Sequence, residues 1–350
     1  MILGNGYVHG GDIYRNRVRL DFSANVNPLG TPEPVKEAIR LAAEEIDRYP
    51  DPYCTDLCER LSALHGVSRD AVLCGNGAAE LIFSFVSALS PKAALLPVPS
   101  FAEYETALRA AGVPITFYPL LREEGFAVTP RILEAITERT GLLLLCSPNN
   151  PTGRSIDPAL LRRILDRCRE TGTWLFLDEC FWDLTDPDKA FLLENDLKNG
   201  DRVLLLHAFT KTYGMAGVRL GYVVSKNPDL LMKMSETVQP WNVSALAQAA
   251  GLAALDCPDW AENARALFRK EKPYLIGELT ALGVPVLCGD ANFLLLSGVP
   301  TLYRGLLNKG ILVRDCENYR GLEKGDVRIA VRTHAENETL IRAISEVLHA

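Results

Sequence analysis

Apolar residues recur along this chain in two alternating rhythms. Unbroken apolar runs at Gly141 to Cys146, Trp174 to Leu177 and Val203 to Leu206 read as strands buried on both faces. Stretches with apolar positions three and four apart read as helices packed by one face: Thr55 to His65, Ala78 to Leu89, Pro158 to Thr171, Ala245 to Leu255 and Trp260 to Leu282. A helix is also expected from Pro34 to Ala43, with Thr31-Pro32 as its capped start. From Ala93 the two rhythms interleave, with a strand at Ala93 to Val98, a helix in PSFAEYETALRAAG, a strand at Ile115 to Leu120 and a helix from Thr129 to Glu138. Gly221 to Val224 adds a further strand. Such interleaving predicts an α/β fold on a parallel sheet with helical crossovers.

Beyond Pro285 the rhythm shortens. Val286-Leu287, Phe293 to Leu296, Ile311 to Arg314 and Val327 to Val331 read as strands, with helices from Thr301 and from Glu336. A small α+β domain is expected there. The pattern divides the chain into an N-terminal arm at 1–45, too short to fold alone and expected to pack on the small domain, a large domain at 46–255 and the small domain at 256–350. No internal repeat or low-complexity tether separates them.

The polar breaks fall where α/β folds place their chemistry, at the carboxyl ends of strands. Lys211 follows the Val203 run and precedes a glycine-rich turn; a desolvated lysine there loses its proton readily and becomes nucleophilic, although an isolated lysine is ordinarily a surface residue. Asp178 closes the Trp174 run, where a carboxylate is costly unless paired, so a cationic partner is expected. Ser147 to Gly153, SPNNPTG, packs asparagines and prolines into a rigid turn over a strand end. Gly75-Asn76-Gly77 opens a helix whose free N–H groups suit an anion, although such a turn is often only structural. Near the N-terminus, Asn25 and Asn27 mark turns, and His9 stands beside the flexible Gly10-Gly11, whose N–H groups can approach an anion.

Composition narrows the options. With 350 residues, 48% of them hydrophobic, the chain can bury a large core, and a net charge of −7 disfavours a broad nucleic-acid or anionic-membrane surface while leaving room for a local anion pocket. The start, MILGNGYVHGGD, lacks a basic segment followed by an apolar one, and no apolar run reaches membrane-spanning length, so a cytoplasmic protein is expected. Nine scattered cysteines argue for reduced thiols. Cys54 and Cys58 lie one helical turn apart with His65 downstream, but the second ligand pair of a zinc site is missing and no metal site is expected.

A lysine, a carboxylate, a rigid asparagine turn and a glycine turn at a helix start suit one cofactor, pyridoxal 5′-phosphate. Its aldehyde needs a lysine, its ring nitrogen an acid, and its phosphate a helix N-terminus and a cation, which Arg219 can supply. With the motifs GNGAAE, PSFAEY, SPNNPTG, DEC and FTKTYGMAGVRLGY in this order, the chain resembles the fold-type-I aminotransferase superfamily, class I/II, over nearly its whole length. The resemblance implies a mostly parallel seven-stranded sheet flanked by helices, with Lys211 as the Schiff-base lysine and Asp178 on the ring nitrogen. It further implies Asn76, Gly77, Ala78, Thr210 and Arg219 around the phosphate, Phe101 stacked on the ring and Asn150 on the ring hydroxyl. Tyr49, in RYPDP, would reach the partner subunit's cofactor phosphate in a homodimer with shared sites.

Within that superfamily HGGDIY, LDFSANVNPLG, QPWNVSALA and ILVRDCENYRGL resemble the threonine-phosphate decarboxylases of cobalamin biosynthesis more than the histidinol-phosphate aminotransferases, and Phe181 replaces the tyrosine usual in the latter. This implies a small phosphorylated amino acid as substrate. Arg328 would hold its carboxylate, His9 and Arg314 would lie near its phosphate, and Gly10, Asn27 and Asn150 would line the pocket, with Arg332 a further candidate. Ala208 departs from both groups, which carry a hydroxyl there; Thr210 keeps one beside the lysine. The alternative reading is an aminotransferase acting on histidinol phosphate and 2-oxoglutarate.

Overall fold

The computed structural model describes residues 9–189 and 191–349. The strands in chain order are β1 Leu20–Asp21, β2 Val72–Gly75, β3 Ala94–Val98, β4 Ile115–Pro119, β5 Leu142–Cys146, β6 Trp174–Asp178, β7 Val203–Ala208 and β8 Gly221–Val224. They are followed by β9 Val286–Leu287, β10 Phe293–Leu296, β11 Ile311–Leu312, β12 Arg314–Asp315 and β13 Val327–Ala330. The helices are α1 Glu33–Ala42, α2 Thr55–His65, α3 Gly77–Leu89, α4 Ala102–Ala110, the single turn α5 Ile132–Ala135 and α6 Pro158–Thr171. After them come the single turn α7 Phe209–Thr212, then α8 Pro228–Ser235, α9 Ala245–Leu255, α10 Asp259–Ala281, α11 Leu302–Asn308 and α12 His334–Leu348.

Apolar strands buried on both faces need cover on both sides. The larger sheet obtains it in the seven-stranded order β2-β8-β7-β6-β5-β3-β4. Leucines of β5, β6 and β7 alternate between two cores: one with α1, α2, α6 and α9, the other with α3, α4 and α8. The pairings from β4 to β7 are parallel, whereas β8 runs antiparallel to both β7 and β2. That antiparallel edge follows from the short link between β7 and β8, which holds only α7 and a turn and leaves no room for a crossover.

The smaller sheet has the order β12-β13-β10-β9 and packs against α10, α11 and α12. The N-terminal segment joins it: β1 pairs in parallel with β11, Phe22 donates its N–H to Leu312 at 2.7 Å, and its carbonyl accepts from Ala330 at 2.8 Å. No helix among the described residues is long and apolar enough to cross a membrane.

Several sequence expectations shift locally. The helix expected from Thr129 to Glu138 shrinks to one turn, because Thr140 folds back and its hydroxyl bonds the Ala135 carbonyl. The strand expected from Ile311 to Arg314 divides between two sheets, β11 pairing with β1 and β12 with β13. Thr31 does not cap α1; its hydroxyl donates to the Gly214 carbonyl at 2.8 Å, tying the segment to the turn after Lys211. The short β2 and α8 carry too few residues for a visible period and are found only in the structure.

Candidate active site

Register brings the strand ends level. Cys146 pairs with Asp178 across β5 and β6, and Asp178 with Leu206 across β6 and β7, so Asp178 and the α7 turn carrying Lys211 share one edge of the sheet. Asp178 is buried, accepting from the Tyr104 hydroxyl at 2.5 Å and from the Cys180 N–H at 2.9 Å. No arginine or lysine hydrogen-bonds it among the described residues; two neutral donors meet the carboxylate, which leaves a protonated ring nitrogen as the expected cation, and burial raises its pKa.

Lys211 is half-buried and its Nζ lies 5.7 Å from the centroid of the Phe181 ring. Burial first, then the charge of Arg328, lowers its pKa to about 8. Asn27 fixes the turn beneath it: its N–H donates to the Lys211 carbonyl at 2.9 Å and its Nδ2 to the Thr212 carbonyl at 2.8 Å, while its Oδ1 accepts from Leu29. Both polar atoms of the Asn27 side chain are thus bonded to backbone groups, one of them in the lysine turn.

A second cluster forms where β2 leads into α3. Gly77 has φ +80°, a conformation side chains rarely adopt, and a β-carbon on it would come within 2.6 Å of Arg219 Nη2. A β-carbon on Gly221 would lie 2.8 Å from the Ala78 nitrogen. The helix N-terminus, Ala78 and the Arg219 guanidinium are thus brought against one another by two missing side chains. The Asn76 N–H is already committed to Glu80 at 2.6 Å. Phe101 precedes α4 and meets Tyr104 edge-on at 5.6 Å between centroids, while Thr210 lies within α7 beside Lys211.

The third cluster is cationic. Arg314 and Arg328 stand opposite each other in the β12–β13 register, both buried. Like charges so placed repel, yet among the described residues each is hydrogen-bonded by neutral acceptors alone. Arg328 donates to Asn150 Oδ1 at 2.5 Å and to the Ser23 carbonyl at 2.7 Å; Arg314 donates to the Asp315 carbonyl and to Asn318 Oδ1. Because a guanidinium can only donate, the Asn150 oxygen must face Arg328 and its NH2 must face away. Gly10 fits beside this pair, where a β-carbon would lie 3.4 Å from Arg328 Nη2 and would strike the Ser23 carbonyl.

Other candidates have partners of their own. His9 Nε2 is 3.3 Å from Glu103 on α4. Arg332 bonds Glu336 at 2.7 Å and the Asp21 carbonyl at 3.0 Å. Tyr49 is at the surface, 80% exposed and stacked on Trp241. His65 bonds Glu194 at 2.6 Å and the Tyr222 hydroxyl at 2.9 Å rather than Cys54 or Cys58, and no metal-binding group occurs among the described residues. Tyr104 and Tyr319 were not singled out by the sequence. Tyr104 lies three residues beyond Phe101, one helical turn, which was its only signal; Tyr319 lies 5.0 Å beneath Arg314 with its hydroxyl 3.5 Å from Asn150 Oδ1.

A sheet edge carrying a depressed-pKa lysine, a buried carboxylate and a glycine-lined helix start defines a class of enzyme, and the chain belongs to the aminotransferase class I and II family, whose model matches residues 17–344. Among characterised relatives it is 39% identical to the threonine-phosphate decarboxylase of Salmonella typhimurium, over 94% of this chain and 91% of that one. The structure of L-threonine-O-3-phosphate decarboxylase from Porphyromonas gingivalis superposes with a TM-score of 0.82 at 28% identity, covering 95% of this chain and 100% of that one. Histidinol-phosphate aminotransferase from Clostridium acetobutylicum superposes with a TM-score of 0.87 at 28% identity, covering 94% of this chain and 99% of that one.

Proposed function

We propose that this enzyme uses pyridoxal 5′-phosphate to decarboxylate L-threonine O-3-phosphate, yielding (R)-1-aminopropan-2-yl phosphate for cobalamin biosynthesis. The observation that carries the substrate reading is the Arg314–Arg328 pair, two buried guanidiniums whose hydrogen-bond acceptors among the described residues are neutral. Buried like charges demand anions. Threonine phosphate brings both a carboxylate and a phosphate; histidinol phosphate brings the phosphate alone.

The residues present fit the cofactor. Asp178, buried with two neutral hydrogen-bond donors, suits a protonated ring nitrogen, and the missing side chains of Gly77 and Gly221 let the α3 start and the Arg219 guanidinium close on one another as a donor surface suited to a phosphate. Phe101 would cover the ring, Asn150 would turn its NH2 to the ring hydroxyl, and Asn76 and Thr210 would complete the phosphate surroundings. When bound, the cofactor supplies an electron sink for the pair released as a bond at Cα breaks.

The chain's own side chains choose the bond. Arg328 binds the carboxylate, and Arg314 with His9 and Gly10 the phosphate, fixing rotation about Cα so that the carboxylate leaves in line with the electron sink. Lys211, with an amine titrating near neutrality, takes up a proton at Nζ and returns one to Cα after carbon dioxide departs. Asp178 would hold the ring nitrogen of the bound cofactor. Tyr49 would serve the neighbouring subunit, so the working unit is a cytoplasmic homodimer with shared sites.

Incubating the pure enzyme with threonine phosphate, and separately with histidinol phosphate plus 2-oxoglutarate, tests this reading. Carbon dioxide and aminopropanyl phosphate are expected in the first. Glutamate formation in the second, without carbon dioxide release in the first, would establish the aminotransferase instead.

A further inference from the structure

Beneath the glycine cradle lies a group of thiols that the reaction does not use. Cys58 on α2 and Cys74 on β2 face each other with 3.7 Å between their sulfurs, and Cys54 stands one turn before Cys58 at the start of α2. All three are free and buried. Cys54 holds φ +45°, a left-handed conformation that is strained for a non-glycine residue and needs its surroundings to maintain it. The thiols are not sealed in. Cys54, Cys58 and Cys74 line a cavity of about 580 Å3 together with Arg69, Met232 and Asn242.

We propose that Cys58 and Cys74 are an oxidisable dithiol that a small disulfide reaches through this cavity and converts to an intramolecular disulfide linking α2 to β2. The chemistry is two successive exchanges. The Cys58 thiolate attacks one sulfur of the external disulfide, forming a mixed disulfide and releasing one thiol. Cys74 then loses its proton and attacks the Cys58 sulfur, expelling the second external thiol. Two protein thiols are oxidised, one external disulfide is reduced, and both protons end on the released thiols.

The order follows from the surroundings. The hydrogen bond from Cys74, and the charge of Arg69, hold the Cys58 thiol below its usual pKa. The hydrogen bonds to Cys54 and Cys58, with burial and the Cys58 charge, hold Cys74 well above it. Capping Cys58 in the mixed disulfide removes that charge and frees Cys74 to attack.

The link has a consequence at the site. A disulfide requires about 2.05 Å between sulfurs, so closure from 3.7 Å fixes both side chains and ties α2 to β2. Cys74 immediately precedes Gly75-Asn76-Gly77 and pairs with Tyr222, next to Gly221. This second step rests on the cofactor reading above; the oxidation itself does not.

The test uses the holoenzyme carrying Cys288→Ser, which removes the exposed thiol, treated with glutathione disulfide, blocked with N-ethylmaleimide and mapped by peptide mass spectrometry. A Cys58–Cys74 crosslink is expected, reversed by dithiothreitol, absent in Cys58→Ser and kept in Cys54→Ser. Thiols that stay reduced, or a crosslink through Cys54 instead, would overturn the assignment. Pyridoxal-phosphate affinity, read by absorbance before and after oxidation, is expected to fall about tenfold, the scale of one strained contact. A crosslinked protein with unchanged affinity overturns the coupling, and failure of the reduced protein to bind the cofactor overturns the cofactor reading while leaving the crosslink result intact.

Discussion

Lys211 carries opposing demands: it must stay available as a base, yet it sits in a recess beside the positive charge of Arg328. Both effects disfavour the ammonium, and the consequence reaches stability. The folded pKa is about 8, whereas an unfolded lysine titrates near 10.4. Between those values the unfolded chain holds a proton that the folded chain has released, so stability of the cofactor-free protein rises with pH across the interval. Below pH 8 the penalty is fully present, about 3 kcal/mol at most. Urea midpoints of the cofactor-free protein and of Lys211→Met, taken near pH ~7 and ~10, should converge at the higher pH, with the variant more stable at the lower. Equal separation at both would show that Lys211 pays no such cost.

At the scale of elements, two contacts decide the site. The approach of α3 to β8 depends on glycines, and Gly77→Ala would place a methyl 2.6 Å from the Arg219 guanidinium at a φ of +80°. Conformational strain alone is worth about 1–2 kcal/mol, so pyridoxal-phosphate affinity should fall roughly tenfold or more, measured by absorbance titration. The β12–β13 pairing sets Arg314 against Arg328. Arg314→Met keeps the volume and removes one uncompensated charge, so the free protein should gain thermal stability while KM for threonine phosphate rises by about tenfold or more, a change of 1.4 kcal/mol per decade. A loss of stability in the free protein would mean that the pair is balanced by a group other than substrate.

The whole molecule displays apolar surface that one chain does not cover. Tyr49, Tyr53, Leu41, Ile46 and Trp241 are all exposed, and Tyr49 stacks on Trp241 at 4.6 Å. Aromatic side chains so displayed mark contact surfaces, and Tyr49 belongs to the motif expected to cross between subunits. Sedimentation should give a dimer. Mixing Lys211→Ala subunits with Tyr49→Ala subunits should restore activity that neither homodimer has, since each mixed dimer regains one site with both residues intact. No recovery would place Tyr49 within its own subunit's site.

Much of this was written in the order of residues. The apolar runs announced β5, β6 and β7 because strands buried on both faces need no alternation, and the helical period announced α2, α6 and α9 because each packs by one face. Lys211, Asp178, Asn150 and the Gly77 turn were visible because each interrupts such a run at a strand end. What period cannot carry is contact between distant segments. The Tyr104 partner of Asp178, the bond of Asn27 to the lysine turn, the bond of Arg332 to the Asp21 carbonyl and the opposition of Arg314 to Arg328 arise from pairings between separate segments. So does the meeting of Cys58 with Cys74. The sequence by itself determined the layers of the fold and the place of Lys211 at the end of a buried strand, since both depend on local pattern; only the tertiary structure decided which charges face each other, because that depends on register and packing.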